Sequence, residues 1–538
     1  MQLEELDTAV RDYIKQLEAR YEQRSHELEA NLKELESSLK ESETNLKEYK
    51  YKYLELQERY DLLLYKRFVR SAEKILSDEK QLRLFTSEDA IEEANREESN
   101  PEELTEVKSF KRKKSGRKPI DSKIPRTERT IDIEESQKAC NCGATLTKIG
   151  EETNEKLHII PPRIFVERVI RLKYACRCCE GVDAGGERVI RIAPVEPSLI
   201  PRSIVSPSLL SCIFTQKFQD HLPYYRQEKQ FERIGVSISR QDMSNWQQQA
   251  YKKLTQLFSL LKETVKSGPV IQMDETVVQV MGEEGRLDTQ KSYMWLARGG
   301  PPDKKVVWYE YHETRSANHA KTFLEKYCGY LQTDGYEGYD AAVRDKPNII
   351  HVGCFAHARR KYFEAAKATK QPHLAEEGMK HIRKLYRLES ELRSQNLDDE
   401  TFLRERKLKA EPILDEFKQW LIKHSEEVPP SLLLGKAIAY TLSQWDKMIK
   451  YLESPYLTPD NNACENAIRP FVLGRKNWLF CKSPAGAESS CGIYSLIETA
   501  KQNGLIPQQY LTTLFEKAPL AVSQEDWEQL LPWNINSG

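Results

Sequence analysis

The 538-residue chain has almost no net charge: 82 basic side chains stand against 83 acidic ones. No molecule-wide field therefore draws it to nucleic acid, and any such binding must come from local basic clusters. Long apolar runs are missing too. Charged residues make up 31% of the chain, and nothing approaches the roughly 20 apolar residues a membrane helix needs. The opening segment, MQLEELDTAVRDYIKQLEAR, is charged from the start and has no apolar core, so neither a secretory leader nor a membrane partner is expected and the location should be cytoplasmic. Cysteine is sparse except in one place: five of eleven fall between Cys140 and Cys179. Reducing surroundings disfavour disulfides, so this crowding suggests metal. The length exceeds what one hydrophobic core supports, and three or four units are expected.

From Leu28 through Leu32, Leu35 and Leu39 to Leu63, apolar residues recur in alternating steps of four and three, with Ser42 as the polar seam position. An earlier seam from Leu3 to Leu17 is offset from it, implying a register slip near Tyr21. A heptad seam of this kind predicts a dimerising coiled coil, against the alternative of a helical hairpin within one chain. Residues 66–86 continue as helix, with Arg67, Arg70 and Lys74 placed either for DNA contact or simply for solvation. From Ser87 to Arg129 the chain turns acidic and then basic without apolar periodicity, the pattern of a flexible linker whose basic run can meet phosphates.

Cys140-Asn-Cys142 and Cys176-Arg-Cys178-Cys179 bracket the β-rich stretch RIFVERVIRLKYA, an arrangement suited to one tetrahedral zinc. Cys140, Cys142, Cys176 and Cys179 are the expected ligands, with Cys178 spare and His158 an outside candidate. Further on, LPYYRQEKQFERIGVSISRQDMSNWQQQA has a helix, a turn at Gly235 and a second helix opened by the capping pattern Ser239-x-x-Asp242. This fits a helix-turn-helix presenting Arg240, Gln241 and Asn245 to DNA, although ordinary helical corners have the same pattern.

Between Pro269 and Ile350, three β-runs, a helix and a fourth strand follow one another, the order expected of a ribonuclease H-like domain. Asp274 interrupts the apolar first strand and Asp334 ends the fourth. A carboxylate in such a setting needs a partner, and magnesium supplies one, since it takes carboxylate oxygens and keeps waters exchangeable with phosphate. The third carboxylate chosen is Glu465, on a short helix opened by Pro459 and Asp460 and closed by Pro470, with Arg469, Arg475 and Lys476 nearby for a DNA backbone. The long separation of Asp334 from Glu465 calls for an insertion, and residues 362–455 are helical in pattern. In GCFAHARRKYF, Cys354 and His357 lack a second ligand pair, so His357, Arg359 and Arg360 are expected to position groups or contact DNA.

From about Arg67 to Leu531 the chain resembles the insertion-sequence 66 family of transposases, the TnpC-type DDE enzymes. The resemblance is carried by HLPYYRQEKQFERIGVSIS, QMDET, LQTDGYEGY, GCFAHARRKYF, DNNACENAIRPFVLGRKNWLF and SLIETAKQNGLIPQQYL. It departs from the family at C-x-C in the first knuckle and at FVRSAEK, Phe68 to Lys74. The resemblance implies a catalytic triad on Asp274, Asp334 and Glu465, a zinc finger at the cysteines and a leucine zipper in the N-terminal helix. It further implies two magnesium (or manganese) ions per site, a structural zinc, and a bacterial, nucleoid-associated protein. Its partners would be double-stranded DNA at element ends and target, a homodimer or higher oligomer, and small accessory proteins of the same element. Water would free a 3′-hydroxyl, which then attacks target DNA in the same site.

The expected fold is thus multidomain α+β. A coiled-coil region (1–86) precedes a charged linker (87–130), a zinc-binding β-rich module (131–195) and a helix-turn-helix-like segment (196–266). A ribonuclease H-like core (267–361 and 456–503) is split by a helical insertion (362–455), and a C-terminal helical segment (504–538) ends the chain. Two rivals are an inactive DNA-binding regulator, which would tolerate loss of a triad carboxylate, and a ribonuclease H-like nuclease that cuts without joining.

Overall fold

The computed structural model describes residues 8–68, 164–175, 190–368 and 373–535. It divides into two units, residues 100–196 and the rest of the chain, each described by itself. The described part of the smaller unit holds two short antiparallel strands, β1 (Lys173–Ala175) and β2 (Ile190–Ile192), paired from Lys173↔Ile192 to Ala175↔Ile190. Of RIFVERVIRLKYA, only its end forms a strand. The expected zinc ligands Cys140, Cys142, Cys176 and Cys179 lie outside the described residues, as does the charged linker.

In the larger unit, α1 (Thr8–Phe68) is one unbroken helix of 61 residues, so the slip near Tyr21 shifts the seam without breaking the backbone. At 1.5 Å per residue it is about 90 Å long. Its seam leucines Leu28, Leu32, Leu35 and Leu39 are 58–70% exposed, so none of the described residues covers them. Near its end Glu58 accepts the Leu433 N–H at 2.9 Å.

Helices α2 (Pro207–Phe218), α3 (Tyr224–Arg233), α4 (Arg240–Lys253) and α5 (Thr255–Lys266) lead into a five-stranded sheet. Gly235 adopts φ +80 between α3 and α4, a conformation open to glycine without strain. Ser239 and Asp242 form the expected capping box, each bonding the other's backbone N–H.

The sheet strands are β3 (Val270–Gln279), β4 (Lys291–Gly299), β5 (Val306–His312), β6 (Gly329–Gln332) and β7 (Ile349–Val352). Their spatial order is β5-β4-β3-β6-β7. The first three form an antiparallel meander, while β6 and β7 run parallel to β3. Parallel pairing requires crossovers, supplied by α6 (Ala317–Phe323) and α7 (Glu337–Val343). At the β5 edge, α14 (Pro484–Gln502) covers the strand: Ser495 Oγ accepts Tyr309 N–H at 2.9 Å and Thr499 Oγ1 accepts Val307 N–H at 3.1 Å. Hydroxyls thereby satisfy backbone groups that an open edge would leave to water or to another strand.

After β7 comes a helical body: α8 (Phe355–Lys367), α9 (His373–Ser394), α10 (Asp399–Glu427), α11 (Leu433–Ser443), α12 (Trp445–Met448) and a 3-10 turn, Ile449–Glu453. It has its own core around Tyr362, Phe417, Leu421 and Trp445, separate from the core that joins the sheet to the flanking helices. The chain then returns to the sheet through α13 (Asn462–Trp478) and α14, and ends in α15 (Pro507–Lys517) and α16 (Gln524–Glu528). One expectation is corrected: Pro470 does not close the helix that carries Glu465 but lies inside α13. Proline removes one backbone bond, yet Ala467, Ile468 and Phe471 bury that stretch, and Asn466, whose carbonyl loses its partner, is exposed.

No described helix is long and apolar enough to cross a membrane.

Candidate active site

The β3–β6 ladder ends at Gln272↔Gln332. Carrying that register two residues further, past the end of β6, sets Asp334 abreast of Asp274 in the middle of β3. Thr333 N–H extends the β6–β7 pairing by bonding Val352 O at 3.1 Å, which carries the backbone into the Asp334 turn. There the Asp334 carboxylate accepts Tyr336 N–H at 3.0 Å.

The α13 end is brought to the same place by amide side chains. Gln272 Nε2 donates to Gln332 Oε1 at 2.8 Å, and Gln332 Nε2 donates to Thr458 O at 2.7 Å. Asn461 Nδ2 donates to Met273 O at 3.1 Å, next to Asp274, while its own N–H reaches Cys354 Sγ at 3.3 Å. Strand β3, strand β6, the start of α8 and the start of α13 are thus tied together around the carboxylates. Glu465 lies in the first turn of α13.

Electrostatics report the same convergence. Burial pushes the Asp274 carboxyl well above the usual carboxylate range, and the charges of Glu275, Glu465 and Asp334 push it further, against one hydrogen bond from Glu275 N–H. A cation would relieve this repulsion. Glu275 is raised by burial, an effect opposed by hydrogen bonds from Tyr339 and Arg315, so its role is to anchor α7 and the loop before α6.

Glu465 keeps one oxygen for a ligand. Its Oε2 lies 3.4 Å from Arg360, but Oε1 is buried without a hydrogen bond, 3.7 Å from His357 Nε2. Burial drops His357 to about 4, against the pull of Glu465, so the imidazole is neutral near pH 7. Among the described residues, ligand atoms of Cys354, His357 and Glu465 all lie within 4.8 Å of one another, a grouping that does not include the aspartates.

The expected DNA contacts separate into three kinds. Arg240, Gln241 and Asn245 are exposed on one face of α4, with Gln241 donating to Asn245 at 2.9 Å. Lys476 is exposed, Arg469 partly so, and Arg475 reaches Thr276 Oγ1 at 3.3 Å, which sets it beside β3. Arg359 is corrected: it is 3% exposed and cannot meet a DNA backbone. Consecutive helix positions point about 100° apart, so Arg360 turns to Glu465 while Arg359 turns into the helical body. Sequence reading missed Asn461, Gln272 and Gln332, since amides carry no signal until their partners are known. Glu275 was missed as well, although its place beside Asp274 in QMDET marks it as a second carboxylate.

Comparison with known proteins shows the family. Residues 202–489 match the IS66 transposase family, 495–533 the IS66 C-terminal element, 137–180 the zinc-finger binding domain of transposase IS66, and 55–129 the transposase C of IS166 homeodomain. The last match runs across the charged stretch after α1. Relatives in Sinorhizobium fredii (strain NBRC 101917 / NGR234) include uncharacterized protein y4jD, 31% identical over 422 residues that cover 76% of this chain and 80% of that protein. Uncharacterized protein y4qI is 30% identical over 450 residues, covering 80% and 81%. The chain is a transposase-type protein with a zinc-binding domain and homeodomain-like DNA-binding segment, and DNA is its partner. It belongs to the IS66 transposase family.

Proposed function

We propose that the chain is a DDE transposase that cleaves one strand at an element end and joins the freed 3′-hydroxyl to target DNA, with Asp274, Asp334 and Glu465 as its catalytic carboxylates. The observation that carries this reading is the meeting of strand register, Asn461 tie and charge repulsion at Asp274. The sheet order, with Asp274 within β3 and Asp334 just past the end of the adjacent parallel strand β6, supports a ribonuclease H-like core interrupted by the helical body.

The three carboxylates suit a pair of magnesium or manganese ions: they are oxygen donors, mutually repelling, and Glu465 Oε1 has no hydrogen-bond partner. Such ions, when bound, lower the barrier by stabilising charge on the attacking and leaving oxygens of one scissile phosphate. The chain itself supplies the placement. Arg360 fixes one Glu465 oxygen, Asn461 and the paired glutamines lock α13 against β3 and β6, and Arg469, Arg475 and Lys476 are set along the same helix to meet the phosphate backbone. In the first step an oxygen of water bonds to phosphorus and the 3′-oxygen leaves. In the second, that 3′-oxygen bonds to a target phosphate and the target strand's own 3′-oxygen leaves. Each step exchanges one oxygen on phosphorus for another, and the leaving 3′-oxygen takes up the proton that the attacking oxygen gives up, so no oxidant or nucleotide is consumed. The helix-turn-helix-like face of α4 is assigned to end recognition, and Cys140, Cys142, Cys176 and Cys179 to the structural zinc.

The test is Asp334→Asn, assayed for end binding, strand cleavage and joining of a pre-cut end, beside Glu488→Gln, whose carboxylate is exposed on α14. Cleavage and joining should fall at least about 10²–10³-fold while end binding stays near wild type, because removing one charge-stabilising group costs that much chemistry but no DNA contact. Near wild-type joining by Asp334→Asn would remove the assignment, and cleavage without any joining would make the protein a nuclease.

A further inference from the structure

Cys354 and His357 remain without a task in the scheme above. Cys354 is the residue before α8, and His357 is in its first turn, so the C-x-x-H spacing sets both at one helix end. Alone they are half a site. The fold brings Glu465, from the first turn of α13, to complete a set whose sulfur, nitrogen and oxygen atoms all lie within 4.8 Å of one another. We propose that Cys354, His357 and Glu465 form a second metal site, for a thiophilic divalent cation of the zinc class, whose occupancy withdraws Glu465 from the aspartates. The site stands on its own geometry, and its effect on catalysis rests on the role proposed for Glu465.

Three features fit it. Zinc bonds of about 2.0–2.3 Å place tetrahedral ligand atoms about 3.3–3.8 Å apart, and His357 Nε2 already lies 3.7 Å from Glu465 Oε1. A carboxylate lone pair is available, for Glu465 Oε1 has no hydrogen-bond partner and the Arg360 contact is to the other carboxylate oxygen. The Asn461 N–H aimed at Cys354 Sγ at 3.3 Å would steady charge on a metal-bound sulfur. A thiol, an imidazole and a carboxylate together select zinc or cobalt over magnesium, and three protein ligands leave a position open for exchange. The thiol cluster at Cys140–Cys179, by contrast, has donors enough to close its own site.

Both carboxylate uses cannot be served at once. Bound zinc would hold Glu465 toward α8, so trace zinc should inhibit magnesium-dependent cleavage.

The experiment uses the full chain with its resident zinc retained and its thiols reduced, titrated with cobalt(II) alone. Wild type should take up one more cobalt than Cys354→Ser, and the difference spectrum should show thiolate-to-cobalt charge transfer. His357→Gln should lose the same band, whereas Asp274→Asn should keep it. Thermal unfolding of each variant close to wild type secures the comparison, and Cys354→Ala serves if serine disturbs the buried position. In cleavage assays at fixed magnesium, the half-inhibiting zinc concentration should rise at least about tenfold in Cys354→Ser, as expected on losing a ligand. Equal cobalt uptake by wild type and Cys354→Ser would overturn the site, as would loss of the band in Asp274→Asn. Absence of cleavage in every variant would count against the transposase reading and leave the metal site to be judged by the cobalt spectra.

Discussion

Arg406 shows how a single buried charge can position a site it does not touch. It is fully buried on α10 and donates to the carbonyls of Tyr451, Ser454 and Leu457 at 2.8, 2.9 and 3.0 Å, and to Glu389 at 2.7 Å. Those carbonyls belong to the segment running from the 3-10 turn toward Asp460 and Asn461, so the guanidinium shapes the path by which the chain reaches α13. Removing it would take the donor from the Tyr451 and Ser454 carbonyls, while Arg393 still bonds Glu389 and the Leu457 carbonyl at 2.7 and 2.9 Å. Arg406→Met should lower the thermal unfolding temperature measurably, since each buried carbonyl left without a donor costs about 1–3 kcal/mol. A variant that unfolds like wild type would show that the segment is held by packing alone. Arg359 makes the complementary point, because a basic residue inside a run such as HARRKYF is a DNA contact only if its helix face meets solvent.

Among elements, α5 and β5 are joined by a charged contact. Glu310 on β5 bonds Lys262 on α5 and lies beside His312. Burial pushes its carboxyl up, but His312 and Lys262 outweigh burial and hold it at about 2. A carboxyl depressed in this way adds stability above its ordinary value near 4, and that contribution is lost as pH falls from about 4 to about 2. Lys262→Met should therefore move the acid loss of stability to higher pH, seen as an earlier fall in unfolding temperature between about pH 5 and pH 3. Identical acid profiles for variant and wild type would mean that His312 alone sets the Glu310 charge. Helix α14 is a second case of one element completing another, since Ser495 and Thr499 act as an edge strand's missing partners.

At the scale of the whole molecule, α1 is the feature the single chain leaves unfinished. A helix about 90 Å long carrying a leucine row 58–70% exposed exposes apolar surface that a second copy would cover. Changing Leu32, Leu35 and Leu39 together to serine should halve the mass seen by light scattering, with the fold of the sheet unaltered. An unchanged mass would place the oligomer contacts elsewhere. Because Glu58 near the end of α1 caps the start of α11, pairing of two α1 helices would also fix where each helical body sits along the coil.

What the sequence determined alone was local and periodic. The heptad steps set α1 as one helix, the capping pattern at Ser239 set the start of α4, and the alternation of β-runs with a helix set β3 to β6, because short-range propensity and side-chain period are written in neighbouring residues. The three carboxylates proposed as catalytic were picked out through motifs that resemble a family. The tertiary structure decided which residues lie beside them. It kept Pro470 inside α13, since burial of Ile468 and Phe471 outweighs one lost backbone bond, and it turned Arg359 inward. It also brought Glu465 to Cys354 and His357, across more than a hundred residues. Contacts of that separation depend on how two cores pack against one sheet, a property of the whole chain that no spacing within a motif encodes.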